Sequence, residues 1–284
     1  MVVFDKKVDL IAALAEKRAS QMKIGFVPTM GALHPGHISL IELAKKENDL
    51  VVVSIFVNPT QFNNPDDLKN YPRTIESDTK QLESAHTDIL FFPSVEEMYP
   101  SNEADNKVYD FGALETVMEG VHRPGHFKGV AQVVSKLFNI VNPDVAYFGE
   151  KDFQQLSIIH ELVKKMNSGI KIIGCPTVRE SDGLAMSSRN KLLTSAERKE
   201  AATISKALFF TRDKKKEYSV AAIKQKAIDM IESSGMMTVE YLEIADETLQ
   251  PVSNWTSKNP LRCFTAVRLG KVRLIDNIAL NNNS

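Results

Sequence analysis

The sequence predicts an α/β protein, a parallel sheet with helices on both faces, followed by a smaller C-terminal α+β domain. Three observations point there. From residue 23 to residue 174, short apolar runs alternate with amphipathic helical stretches, the pattern of successive βαβ units. Residues 49–58 (DLVVVSIFVN) form a nearly continuous apolar run rich in β-branched side chains, as a strand covered on both faces does. Beyond Thr194 the alternation stops, and two helical stretches are followed by three strand-like runs. The boundary falls near Cys175 to Gly183, giving expected domains of 1–177 and 178–284, the second acting as a lid.

Residues 8–21 put Leu10, Ile11, Leu14 and Ala15 on one face and predict an opening helix. Residues 23–27 predict a short apolar strand. The stretch Pro28-Thr29-Met30-Gly31-Ala32-Leu33-His34-Pro35-Gly36-His37 then interrupts the pattern. Ile38, Leu40, Ile41, Leu43 and Ala44 resume it at helical spacing. His34 and His37 therefore sit on a strand-to-helix turn, where Gly31 and Gly36 let the backbone approach a ligand. A helix N-terminus presents unpaired N–H groups and partial positive charge, which suits phosphate. Two imidazoles there can donate to one phosphoryl group. Spacing alone leaves open a turn with two surface histidines. It also leaves open a zinc site, for which no further ligands lie nearby.

The strand 49–58 leads into Asn58-Pro59-Thr60-Gln61-Phe62-Asn63, a polar loop at a carboxy-terminal strand edge. Ligands bind at such edges in open α/β sheets, so Asn58 and Gln61 are candidates beside their plainer reading as turn-forming and solvated side chains. Residues 74–85 predict a helix and 88–92 a strand stopped by Pro93; 101–106 reads as a surface loop. A glycine-bearing loop, 121–130, opens a helix through Val141. Its Arg123 and His126 could face an anionic substrate or serve as solvated or capping groups. Residues 144–149 predict a strand ending in Gly149, and Glu150-Lys151-Asp152 open a helix to about 166. Lys151 offers a point charge for phosphate, and Asp152 a partner for a ribose hydroxyl or a metal-bound water. A solvated first turn explains the two acids but not the lysine. Residues 170–174 complete the strand set.

In 178–190, Asp182-Gly183 marks a turn, and Ser187, Ser188 and Arg189 supply hydroxyl and guanidinium donors suited to a triphosphate. Thr194-x-x-Glu197 is a capping box for a helix through about 210. Lys214, Lys215 and Lys216 read as a solvated connection. A helix over 220–233 closed by Gly235 precedes strands at 238–244, 263–269 and 271–275, the last two joined by a turn at Gly270. The tail 281–284 is expected to be loose.

The composition of the 284 residues, 43% apolar and 25% charged, is that of an ordinary globular protein. A net charge of −1 argues against broad nucleic-acid binding. No run of about 18 apolar residues predicts a membrane span, and the amino-terminal residues lack the order of a signal peptide. Two cysteines, Cys175 and Cys263, give neither a disulfide framework nor metal-site spacing, so a cytoplasmic setting is expected.

The turn at 28–37 resembles the His-x-Gly-His signature of class I aminoacyl-tRNA synthetases and their nucleotidyltransferase relatives, and Met186-Ser187-Ser188 resembles the centre of their second signature loop. More closely, the chain is similar over essentially its whole length to the pantothenate synthetase (pantoate–β-alanine ligase) family. The likeness is carried by 28–37, Phe56-Val57-Asn58-Pro59-x-Gln61-Phe62, Tyr71-Pro72-Arg73-Thr74, Arg123-Pro124-Gly125-His126-Phe127, Phe148-Gly149-Glu150-Lys151-Asp152, Gln154-Gln155 and 182–190. The resemblance implies a Rossmann-like sheet and condensation of pantoate with β-alanine using ATP and Mg²⁺, through a pantoyl adenylate.

It also implies residue roles. His34 and His37 hold the nucleotide phosphates, with His37 as proton donor, while Lys151, Ser187, Ser188 and Arg189 neutralise the triphosphate. Gly149, Asp152, Val178 and Met186 border ribose and adenine, and Met30, Gly31, Ala32, Leu33, Pro35, Gly36 and Glu150 complete the ATP-binding set. Gln61, Gln155 and Asn58 take pantoate, with Met30 against its dimethyl group. Asp78 is a candidate magnesium ligand, although Ser77 stands where some relatives carry a second acid, and ATP oxygens and water are expected to hold most of the ion. The family is usually dimeric through its first domain, so a homodimer is expected.

Other classes fit less well. A nucleotidyltransferase acting on a phosphorylated acceptor needs a second anion site, which the neutral Gln61 and Gln155 do not supply. A tRNA-binding fragment needs a basic face, and a non-catalytic module would have lost the signature residues. A related ligase using another acid remains the nearest alternative.

Overall fold

The computed structural model describes residues 1–101 and 109–280. The loop expected at 101–106 lies outside the described residues from 102 onward, as does the tail expected at 281–284. The chain divides into two compact units, one of Met1–Glu150 with Gln154–Pro176 and one of Lys151–Phe153 with the residues from Thr177 onward. No helix among the described residues is long and apolar enough to cross a membrane.

The larger unit is built from β1 (Val2–Phe4), α1 (Lys7–Ala19), β2 (Ile24–Thr29), α2 (Pro35–Glu47), β3 (Leu50–Ile55), α3 (Pro65–Asn70), α4 (Ile75–Ser84), β4 (Ile89–Phe91), α5 (Val95–Met98), α6 (Met118–His122), α7 (His126–Val141), β5 (Val145–Gly149), α8 (Phe153–Lys165) and β6 (Lys171–Cys175). All six strands are parallel, in the order β1-β4-β3-β2-β5-β6. Side chains alternate across a strand, and here both faces are dry. Phe26 and Val52 join Leu10, Leu14, Phe138 and Leu162 in one core, while Val27, Val51 and Val53 join Ile41, Leu82 and Tyr147 in another. That double burial is why the strands read as apolar runs. The chain leaves β2 in one direction to β3 and returns on the other side as β5. The carboxyl ends of β2 and β5 thus flank the point where strand order reverses, the place where open α/β sheets bind ligands.

The N-terminal elements differ from expectation in two ways. β1, only three residues long, shows no pattern of its own and forms by pairing with β4. The predicted buried face of the opening helix is narrower than its spacing suggests: Leu10 and Leu14 are buried, but Ile11 and Ala15 are exposed.

The smaller unit contains α9 (Ser195–Lys214), α10 (Val220–Glu232) and an antiparallel sheet of β7 (Met237–Asp246), β8 (Leu261–Leu269) and β9 (Val272–Ala279) in that order. The capping box is formed, Thr194 accepting from the Glu197 amide at 3.3 Å while the Glu197 carboxylate accepts from the Thr194 amide at 2.8 Å. α9 runs past residue 210 because Ala207, Leu208 and Thr211 continue its buried face, so Lys214 ends a helix. Leu208, Ile223, Ile231, Ile244 and Val267 form the core.

One close approach in the larger unit fixes a loop beside the carboxyl edge of the sheet. Gly129 of α7 lies against the 3-10 turn Pro59–Gln61; a Cβ there would sit 2.7 Å from the Gln61 Cα and closer still to the Thr60 carbonyl oxygen. Both neighbours are backbone and cannot swing aside. Gly129→Ala should therefore destabilise the larger unit by about 1–3 kcal/mol through overpacking, read as a lower thermal midpoint. An unchanged midpoint would show that the turn yields freely.

Candidate active site

The turn after β2 carries real backbone strain. Gly31 has φ +78° and Ala32, a residue with a side chain, has φ +50°. Two sets of contacts hold it. The Thr29 hydroxyl donates to the Ser54 carbonyl at 2.8 Å and accepts from the Gly31 amide at 3.2 Å. From α4, Asp78 accepts from the amides of Ala32 at 2.9 Å and Leu33 at 2.8 Å, one on each carboxylate oxygen, and from the Thr74 hydroxyl at 3.1 Å. Asp78 is 1% exposed. Asp78, expected as a candidate magnesium ligand, thus has both oxygens turned to main-chain amides, and in this structure its side chain anchors the turn. Among the described residues there is no group of three or more His, Cys, Asp or Glu side chains that could hold a metal ion.

The anchored turn delivers His34 as the N-cap of α2, with Pro35 at the first helical position and His37 at the third. His34 Nδ1 accepts from the Gly36 amide at 3.2 Å, and His37 Nδ1 accepts from the His34 amide at 3.3 Å. The pair thus makes a reciprocal capping box out of imidazoles. Their ring centroids lie 4.0 Å apart with planes tilted by 36°. An imidazole nitrogen that accepts cannot carry the proton, so each neutral ring is held as the Nε2–H tautomer. Both half-buried rings are thereby set as hydrogen-bond donors beside a helix N-terminus.

At the end of β3, Asn58 caps the turn Pro59–Gln61. Its Oδ1 accepts from the Tyr99 hydroxyl at 2.8 Å and the Thr60 hydroxyl at 3.2 Å; its Nδ2 donates to Gly129 O at 3.1 Å and Gln61 Oε1 at 3.3 Å. Gln61 Nε2 lies 2.7 Å from Met30 Sδ. Gln61 therefore touches both of the other residues read as substrate-binding on this side, Met30 and Asn58. Gln155 sits half-buried on the first turn of α8. Its neighbour Gln154 is structural, accepting from the Glu119 amide at 3.0 Å and donating to the carbonyls of Leu114 at 2.8 Å and Val117 at 3.0 Å. Arg123 and His126 do not form an outward anion site: the His126 ring is buried, with its nitrogens on the Gln61 carbonyl and Arg123.

In the smaller unit the segment 178–190 folds back on itself through an Arg179–Ala185 bridge and a Met186 amide bonded to the Val178 carbonyl. Arg179 is structural. It grips Asp276 of β9 in bidentate fashion at 2.7 and 3.0 Å and also donates to Gly183 O and Asn277 O. Burial pushes the Asp276 carboxyl up, and the Arg179 guanidinium opposes that shift. Arg198 of α9 bonds Asp182 at 2.7 Å and Glu180 at 2.6 Å, holding the Asp182 carboxyl below the ordinary carboxylate range. Ser187 caps the 3-10 turn Ser188–Leu192 by accepting from the Arg189 amide at 3.3 Å. Lys151 belongs to the same unit. Asn277 Nδ2 donates to its carbonyl at 2.8 Å, and Phe153 packs under Arg262 at 4.1 Å and against Phe264 at 5.8 Å. The pair Asp276-Asn277 therefore frames both Lys151 and the loop that presents Ser187, Ser188 and Arg189.

A family model described as pantoate-beta-alanine ligase matches residues 2–279. The chain belongs to this family. The pantothenate synthetase of Bacteroides thetaiotaomicron is 52% identical over 272 residues, covering 95% of each chain. A crystal structure of the Thermus thermophilus pantothenate synthetase superposes with a TM-score of 0.92 at 42% identity, over 99% of each chain. That of the Francisella tularensis pantoate-beta-alanine ligase, complexed with beta-gamma ATP and beta-alanine, superposes with a TM-score of 0.82 at 41% identity, over 99% of this chain and 98% of that one.

In this pantoate–β-alanine ligase family member, the residues that sequence reasoning missed are the ones behind the site. Arg198 went unremarked, and Asp276 and Asn277 were given no role, although a polar Asp-Asn pair inside the apolar run of β9 was a visible irregularity. The Arg179–Asp276 pair is also the most exacting contact of the loop. Asp276→Ala leaves a guanidinium without its carboxylate in a largely buried setting, which should cost about 3 kcal/mol or more. Thermal denaturation tests this, and a midpoint equal to wild type would remove the pair's structural role.

Proposed function

We propose that this chain joins pantoate to β-alanine in two steps on ATP. In the first, the pantoate carboxylate attacks the α-phosphorus, forming pantoyl adenylate and releasing pyrophosphate. In the second, the β-alanine amine attacks the acyl carbon, forming the amide and expelling AMP. The observation that carries the reading is the family match across residues 2–279, and the ATP and β-alanine ligands of the Francisella relative support it.

A carboxylate is a poor electrophile because its oxygen leaves badly; adenylation turns that oxygen into part of a good leaving group. The protein's share is then positioning and charge stabilisation. His34 and His37 donate from Nε2 to phosphoryl oxygens as negative charge shifts onto the departing pyrophosphate, with the α2 N-terminus adding its partial positive charge. Lys151, Arg189 and the hydroxyls of Ser187 and Ser188 neutralise the triphosphate, and Gly149, Asp152, Val178 and Met186 border the nucleoside. Gln61 and Gln155 take pantoate through its hydroxyl and carboxylate groups, each amide able to donate and accept, with Met30 against the dimethyl group. Mg²⁺ enters with ATP, held by triphosphate oxygens and water; the inward-facing Asp78 is not assigned to it. A homodimer and a cytoplasmic setting go with this reading.

ATP–pyrophosphate exchange tests it. With Mg²⁺, exchange should depend on pantoate and proceed without β-alanine, and His37→Ala should lower it by roughly 10²- to 10³-fold, the loss of one transition-state donor. Exchange that ignores pantoate, or that requires β-alanine, would overturn the adenylate route or the choice of acid.

A further inference from the structure

His126 stands at the start of α7 and is 6% exposed. Its Nε2 lies 3.0 Å from an Arg123 guanidinium nitrogen, and its Nδ1 lies 2.8 Å from the Gln61 carbonyl oxygen. A guanidinium only donates. Arg123 therefore donates to Nε2, the ring proton must reside on Nδ1, and Nδ1 donates to Gln61. The tautomer follows from the partners alone. Arg123 is itself steadied from one turn back, its amide bonded to the Glu119 carbonyl at 2.8 Å and its guanidinium 3.9 Å from the Glu119 carboxylate.

The same first turn of α7 makes a second connection, the Gly129 carbonyl accepting from the Asn58 amide at 3.1 Å. The turn Pro59–Gln61 is thus gripped at both ends from one helix, by the Asn58 side chain at its start and the Gln61 main chain at its end. No Cβ intervenes at Gly129 to hold the two apart. With its carbonyl fixed, Gln61 directs a side chain already bounded by Asn58 and by Met30.

We propose that His126 is a positioning residue for the acid substrate: Arg123 fixes it as the Nδ1–H tautomer, and that N–H fixes the main chain of Gln61 so that its amide meets pantoate. This rests on the reading of Gln61 as a pantoate contact. It assigns His126 no contact with substrate and no proton transfer.

The test uses the two amides that imitate the two ring nitrogens. Asparagine can place an N–H near Nδ1, whereas glutamine reaches the position of Nε2 and leaves Gln61 without its donor. In pantoate-dependent ATP–pyrophosphate exchange, His126→Gln and His126→Ala should raise the KM for pantoate roughly tenfold, the effect of one buried hydrogen bond, with the KM for ATP within about twofold of wild type. His126→Asn should recover most of the loss. Thermal midpoints are measured for each variant, and if the alanine variant does not fold the asparagine–glutamine pair alone decides. An asparagine variant as impaired as glutamine at equal thermal midpoint overturns the donor role. Equal increases in both KM values overturn the specificity for the acid. Gln61→Ala separates the two layers of inference. A normal pantoate KM in that variant overturns the reading of Gln61, and this proposal with it. A raised one there, beside wild-type behaviour in His126→Gln, overturns the proposal alone.

Discussion

The carboxylate of Asp78 takes two consecutive main-chain amides, those of Ala32 and Leu33, inside a turn that the chain would not adopt unaided. A left-handed alanine costs on the order of 1 kcal/mol, and the two amide hydrogen bonds that the buried carboxylate accepts offset that. The direction in which β2 hands over to α2 depends on this contact, and so does the placement of both imidazoles. Had Asp78 faced outward toward a cation, nothing described would hold the amides of Ala32 and Leu33.

The smaller unit repeats the device with other parts. Asp276 is a buried acid whose partner, Arg179, belongs to a loop, and the adjacent Asn277 ties the main chain of Lys151 to the same strand. In both units a side chain on a regular element holds the backbone of an irregular one. Residues suited to touch a nucleotide can then remain half-buried while the groups behind them are dry. Local rigidity of this kind favours electrostatic preorganisation, since donors fixed in advance need not reorient as charge develops.

How much of this was legible in the sequence follows from what is local. The parallel sheet announced itself because Val51, Val52 and Val53 must be apolar in succession when both faces are covered. The strand-to-helix turn at His34 and His37 and the capping box at Thr194 could be read because their signals lie within a few residues. β1 could not, since three residues carry no period and its partner β4 lies far along the chain. α3 was missed although Asn64 followed by Pro65 is a sound helix start, its cap being formed by the Asn64 side chain on the Asp66 amide. The frame of the site was out of reach for a different reason. A carboxylate such as Asp78, or an imidazole such as His126, looks the same in a sequence whether it turns toward solvent or into the fold. Only tertiary contacts decide.

The histidine cap of α2 has a consequence for how stability is distributed. Imidazole is an uncommon choice for a task that serine, threonine or aspartate performs with shorter reach, and here two of them do it through the nitrogens that face the chain. The helix start is therefore built from groups whose opposite edges suit an anion. A ligand gripping those edges would hold the rings in the orientation that caps the helix, so occupancy and local order reinforce one another by linkage. The first turn of α2 is thus fastened by side chains whose outer edges stay available for a second task.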